Sequence, residues 1–345
     1  MKNTQLVKLK RVSKNNENGH PVKNLAFIDS EMVSAVSHKS ESMQFSTTHG
    51  LDMSGFERAA VGVDFLDKAI KAGSNKVSYD PELQKISFHS ERGVLSTPDQ
   101  LSGLVEEFYV PGSEINNLTY LFTVTSNDLL SFKPYMSKDD LRPARCGIFF
   151  DVESGYMVAT NGHILRRLGF ETDEMNGSFI LPAGVTSVLS KNTTYKVSKL
   201  GKQYVFADSQ SDDTIISEEI IEPYPNWASI WPENLPGSAT FETTKMLDSL
   251  KMARIVSDTR VQLVNEGNAM HVHSEDVDLS EEYHTDEPVG TFTDFDYKGI
   301  SFNPVYLEQV IKSCESDEVT MRLSTPSKAA TVNGHSLLMP IRFDV

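Results

Sequence analysis

At 345 residues the chain exceeds what one hydrophobic core usually serves, so two or three domains of about 100–150 residues are the prior. An apolar fraction of 39% and a charged fraction of 23% exclude a disordered chain, and no apolar run nears the roughly 18 residues of a membrane helix. A net charge of −16 argues against a surface coated for nucleic acid, though not against one basic face within an acidic average.

The opening, MKNTQLVKLKRVSKNN, is basic and lacks the apolar core and small-residue cleavage site of a secretory signal. It reads as an opening strand, with a loop and no helix over SKNNENGHPVKN. Cys146 and Cys314 give neither a disulfide framework nor a zinc spacing, which fits a reducing cytoplasm. Further along, three segments repeat: FLDKAI from Phe65, VTSVLS from Val185 and YLEQVI from Tyr306. The offsets are 185 − 65 = 120 and 306 − 185 = 121 residues. Each reads as a short amphipathic helix ending near a lysine (Lys71, Lys191, Lys312), followed by two β-like runs that open near Val77, Val197 and Val319. A second half-unit repeats more loosely. TSNDLLSFKPYMSKDDLRP predicts a helix that Pro134 breaks. ETTKMLDSLKMARIVSDTR predicts one with Met246, Leu250 and Ala253 on one face and Thr243 or Thr244 as N-cap. Joints rich in Pro, Gly and Asn occur at YVPGSEINN and WPENLPGSAT. The pattern predicts three similar α+β domains, at 1–114, 115–238 and 239–345.

MVATNGHILRR (157–167), YPNWASIWPEN (224–234), SFNPVYLEQVI (301–311) and the terminal LLMPIRF resemble, in order and separation, the bacterial-type DNA sliding clamp, the beta subunit of the replicative DNA polymerase III. The resemblance is good over roughly 116–345 and weaker before it. It implies three tandem clamp domains, each with two helices packed on β-sheet, and a ring of two chains closed head to tail around duplex DNA. The implied role is that of a non-catalytic processivity factor. Its partners would be DNA, held without sequence preference, and polymerase and clamp loader bound through short peptides, with no membrane and no cofactor.

Carried over position by position, the peptide cleft comprises Arg145, Thr160, Gly162, His163, Leu165, Pro225, Ile230, Asn303, Tyr306, Leu337, Met339, Pro340, Ile341 and Arg342. The DNA-facing set comprises Lys68, Lys71, Lys133, Lys138, Arg142, Lys191, Lys245, Lys251, Arg254 and Lys312. Ile164 stands where the family commonly has arginine, and ASI replaces a more basic stretch after YPNW, so the cleft is expected to be greasier.

Three NGH triplets, at Asn18, Asn161 and Asn333, occupy non-equivalent repeat positions and read as turns rather than catalytic sites. His271, His273 and His284 lie in an acidic stretch that reads as a solvent loop rather than a metal site. With no P-loop, dinucleotide fingerprint or nucleophile elbow, ring loading would need an external ATPase. The competing functional class is a clamp-like peptide-binding protein that does not close around DNA.

Overall fold

The computed structural model describes residues 1–38, 42–53, 58–100, 110–115, 118–172 and 177–342. Part of the first joint (Tyr109, Asn116, Asn117) and the last three residues of the tail lie outside the described residues. Contacts divide the chain into two compact units: Met1–Leu130, Phe150–Gly155 and Phe170–Ile221 form the first, and Ser131–Phe149, Tyr156–Gly169 and Glu222–Val345 the second.

Six α-helices are described: α1 (Asn3–Lys14), α2 (Val63–Lys71), α3 (Gly112–Ile115), α4 (Ser126–Ser131), α5 (Thr243–Val256) and α6 (Pro304–Lys312). The opening strand predicted from the sequence is instead α1, and it precedes the first strand, Leu25–Asp29. Val7-Lys8-Leu9-Lys10 alternates with the period of a strand. Yet the residues buried against the sheet are Leu6, Leu9 and Val12, spaced by three along one helix face, while Val7 is exposed. The predicted loop over 13–24 overlaps the end of α1 at Ser13 and Lys14.

In the first unit, an antiparallel sheet runs Arg58–Gly62, Leu25–Asp29, Met32–Ser37, Met43–Thr48, Thr214–Glu218, Gln203–Asp208, Thr194–Leu200 and Tyr120–Thr125. A separate three-stranded sheet orders Lys76–Asp80, Lys85–Ser90 and Gly93–Pro98. The predicted helix at Val185 is only a 3-10 turn, Ala183–Ser187. Gly184 and the β-branched Val185, Thr186 and Val188 have weak helix propensity, and Pro182 sits at the N-cap. The strands that follow all three repeats keep their phase, since Val77, Val197 and Val319 are each fully buried.

In the second unit the strands run Tyr156–Thr160, Ile164–Gly169, Ser336–Leu338, Ala330–Val332, Glu318–Leu323, Gly237–Glu242, Gly290–Thr293, Ala269–Asp276, Val261–Glu266 and Gly299–Phe302. Glu281–His284 branches off Ala269–Asp276. Helices α5 and α6 pack on each other, and α5 packs chiefly on Ala269–Asp276, and also on Glu281–His284, Gly237–Glu242 and Val261–Glu266. Met246, Leu250 and Ala253 of α5 are buried together, as the spacing predicts. Its N-cap is Glu242, not a threonine, and Thr243 Oγ1 instead donates to Ser316 O at 2.5 Å. Helix α4 ends at Ser131, before Pro134.

Candidate functional site

The terminal strand Ser336–Leu338 is paired on both sides, with Ile164–Gly169 and with Ala330–Val332. Leu337 lies opposite Leu165, and both are buried with Val158 and Trp227. This accounts for the apolar tail: Leu337 and Leu338 fill a core. Beyond them the chain leaves the sheet. Met339 N donates to His163 O at 2.9 Å and Ile341 N to Ser301 O at 2.8 Å. Pro340, between the two, has no N–H to leave unpaired.

His163 also lines a cleft of about 540 Å³. Its wall combines Arg145, Gly162, His163 and Tyr306, which the sequence reading names, with Met136, Asp139, Asn161 and Gln309, which it misses. Lys138 and Arg142, assigned above to the DNA-facing set, line this same cleft. The turn that presents His163 is tightly fixed. Asn161 Oδ1 accepts from the backbone N–H groups of His163 (2.9 Å) and Ile164 (3.1 Å). Thr160 Oγ1 donates to Ile164 O at 2.7 Å and accepts from Gly162 N at 3.0 Å. Gly162 adopts φ +96°, a backbone conformation that favours glycine, and a Cβ there would stand 2.6 Å from Arg145 Nη1 and push that guanidinium aside. Tyr306 stacks on His163, with ring centroids 4.9 Å apart and planes 15° from parallel. Asn303 places Tyr306 by capping α6: its Oδ1 accepts from Val305 N at 2.9 Å and Tyr306 N at 3.2 Å.

The remaining named cleft residues are spread more widely. Thr160, Leu165 and Leu337 are buried. Pro225 and Ile230 are exposed on the segment after Glu222, which is held by Trp227 in the core and by Trp231, over whose ring the Arg167 guanidinium lies at 3.6 Å. Tyr224 of this segment stacks on Phe149 at 4.5 Å, and burial raises its hydroxyl far above the ordinary tyrosine range. Ile341 and Arg342 line a second cavity, of about 420 Å³, with Tyr297, Ile300 and Pro326. Ile164 is fully buried, so it does not make the cleft greasier. The cleft wall is cationic instead.

The other basic residues are mostly exposed, and several are neutralised locally. Lys71 pairs with Asp67 at 2.9 Å, and Lys245 with Glu242 at 3.7 Å. Arg254 pairs with Asp258 at 2.8 Å and with Glu308 at 2.7 Å, and Lys312 also pairs with Glu308. The two cations hold the Glu308 carboxyl below its usual range, Lys312 contributing most. Lys251, Arg254 and Lys312 border a groove between α5 and α6. Lys68, Lys133, Lys191 and Lys251 have no ion pair among the described residues. The NGH triplets all fall in turns. His271 stacks on His284 at 5.3 Å and its Nδ1 bonds to Thr285 O at 2.8 Å. These histidines therefore sit on paired strands rather than in a solvent loop, because His273 faces His284 across the ladder. Among the described residues no group of three His, Cys, Asp or Glu is arranged to hold a metal ion.

Residues 228–337 match the family model described as DNA polymerase III beta subunit, C-terminal domain. The beta sliding clamp of Streptococcus pneumoniae serotype 4 is 25% identical over 202 residues, 54% of this chain and 52% of that protein. The chain thus spans about half the length of the curated relatives it matches. The DNA polymerase III beta chain of Streptococcus pneumoniae superposes with a TM-score of 0.77 at 17% identity, over 98% of this chain and 97% of the other. The beta subunit from Thermotoga maritima gives 0.76 at 20% identity, over 99% and 98%. At these identities the likeness establishes the fold: tandem α+β domains of the clamp type.

Proposed function

We propose that this chain, which all three comparisons indicate to be a divergent bacterial sliding clamp, is a non-catalytic processivity factor. Two copies would close head to tail around duplex DNA, and the cleft beside His163 would take short peptides from polymerase and clamp loader. The proposed domains are 1–114, 115–238 and 239–345; the proposed DNA-facing residues lie on helices α2, α5 and α6 and, in the second domain, on the turns after α4 and after Ala183–Ser187.

The observation that carries this reading is a pair of exposed strand edges. In the first unit, Gly93–Pro98 pairs only with Lys85–Ser90 among the described residues and exposes Val94 and Leu95. In the second, Glu281–His284 pairs only with Ala269–Asp276 among the described residues, and the hairpin between them exposes Val277 and Leu279. Open edges with exposed apolar side chains invite pairing with another chain unless they are covered. Joining the first edge of one copy to the second edge of another covers both, twice over, and closes a two-chain ring. Held by topology, DNA then needs only weak electrostatic contact, which suits basic helix residues that are partly neutralised.

Sedimentation equilibrium tests this. A species near twice 38.4 kDa that persists on dilution is expected, together with retention on nicked circular DNA and release when the circle is cut. Paired substitution Val94→Asp and Leu95→Asp should yield monomers. A wild-type monomer at every concentration would overturn ring closure and leave the competing class, a peptide-binding protein that does not encircle DNA. The local neutralisation of Lys71, Arg254 and Lys312 is what favours that second reading. Deleting residues 339–345 should abolish peptide binding while leaving the fold largely intact. Unchanged peptide affinity after that deletion would sink the cleft.

A further inference from the structure

Resting on the cleft reading, we infer that the peptide this site selects is acidic, with carboxylates placed beside its apolar anchor. The chain carries a net charge of −16, yet the cleft wall concentrates Lys138, Arg142 and Arg145 against a single carboxylate, Asp139. That carboxylate is a poor neutraliser. Its Oδ2 lies 3.9 Å from Arg142 Nε, and its Oδ1 already accepts from Leu141 N at 3.2 Å within the turn. Lys138 and Arg145 have no ion pair among the described residues. The Arg145 guanidinium makes one long hydrogen bond, to Asn161 O at 3.5 Å. Three cations facing one engaged acid leave a net charge of about +2 in a concave site, where field lines are focused.

The cations do not stand alone. The stacked pair of His163 and Tyr306 provides an apolar platform in the same wall. A ligand using both features carries a leucine or aromatic side chain for the platform and one or two carboxylates for the guanidiniums, which accept such groups bidentately. The acidic exterior of the chain would meanwhile repel acidic peptides everywhere except here, so charge complementarity favours correct encounter.

The test uses the full-length protein and two fluorescein-labelled octapeptides. Each has one leucine next to one phenylalanine; one carries two aspartates beside them and the other two asparagines. Anisotropy titration at low and physiological salt should show the aspartate peptide binding about tenfold more tightly, with the advantage shrinking as salt screens it. In Lys138→Glu/Arg142→Glu, a pair of exposed positions whose change should leave the fold intact, the preference should reverse. Equal affinities for both peptides would overturn the acidic preference; their loss in Tyr306→Ala would leave the cleft standing, and their persistence there would overturn the cleft as well. No binding of either peptide would overturn the cleft and this inference together.

Discussion

Helix α1 and the segment from Lys138 to Arg145 are both basic stretches, and their cations meet opposite fates. On α1, Lys8 reaches Asp213 at 2.8 Å, Lys10 reaches Asp67 at 2.6 Å and Asp64 at 3.0 Å, and Lys14 reaches Asp64 at 3.2 Å. Arg11 donates to Ser187 O. In the second stretch, Arg142 alone has a carboxylate in reach, Asp139 at 3.9 Å, while Lys138 and Arg145 have no ion pair among the described residues. Basic sequence therefore says little about available charge. What decides is whether the fold brings a carboxylate to each cation, and Asp213 is more than two hundred residues from Lys8 in the chain.

The contrast breaks hardest at Asp213. It is buried, its Oδ2 holds Lys8, and its Oδ1 accepts from Gln5 Nε2 at 2.8 Å and Thr47 Oγ1 at 2.9 Å. Asp213→Ala leaves a mostly buried ammonium without its carboxylate, though Lys8 keeps Ser190 Oγ and Gln5 keeps Thr47 Oγ1, which should cost about 3 kcal/mol. Urea unfolding measures it. A loss below about 0.5 kcal/mol, the range of ordinary surface changes, would mean that α1 is not anchored through this network.

What the sequence made legible follows the same division between local and distant causes. Most local signals held, though not the threonine N-cap of α5: the face of α5, the break before Pro134 and the turns at Asn161 and Asn333 all depend on residues within a few positions. The repeat spacing correctly placed the buried valines Val77, Val197 and Val319. It failed at Val185, where a repeat position lacks helix formers; the separate expectation of an opening strand failed at α1, where lysines with buried stems imitate a strand's alternation. The cleft was only half legible. His163 and Tyr306, carried over to the cleft, line the cavity, and so do Lys138 and Arg142, carried over to the DNA-facing set because nothing local ties residue 138 to a turn at 161–163. Ile164 misled for a related reason: it and Leu165 are both fully buried where their strand pairs with Ser336–Leu338, far along the chain.

A smaller effect sharpens the contrast between free and paired lysines. Lys68, Lys133 and Lys251 have no ion pair among the described residues, whereas Lys10 and Lys14 are paired. Replacing the first three by glutamate should reduce the slope of log affinity for duplex DNA against log salt by about 0.9 for each phosphate no longer neutralised. Replacing Lys10 and Lys14 by glutamine should leave that slope unchanged. Anisotropy with a short open-ended duplex reads it without the topological contribution. Equal slopes in both variants would remove the free lysines from the DNA face.

The smallest effect lies at acid pH and compares the paired carboxylates themselves. Glu308 is held below its ordinary value of 4.5, first by Lys312 and then by Arg254. Asp64 is held below 3.8, first by Lys10 and then by Lys14. A depressed folded pKa means that the unfolded chain takes up the proton first. The stabilisation is therefore fully present above the unfolded value and is lost as pH falls through the folded one. For Glu308 the loss begins near pH 4.5, and for Asp64 near 3.8. Both pairs are partly solvated, so each should contribute no more than a few tenths of a kcal/mol. Unfolding free energies of Glu308→Gln and Asp64→Asn, followed downward from pH 6, should converge on wild type as each carboxylate protonates, Glu308→Gln first. Convergence in the reverse order would show that α1, rather than the pairing of α5 with α6, holds the weaker of the two ion-pair sets.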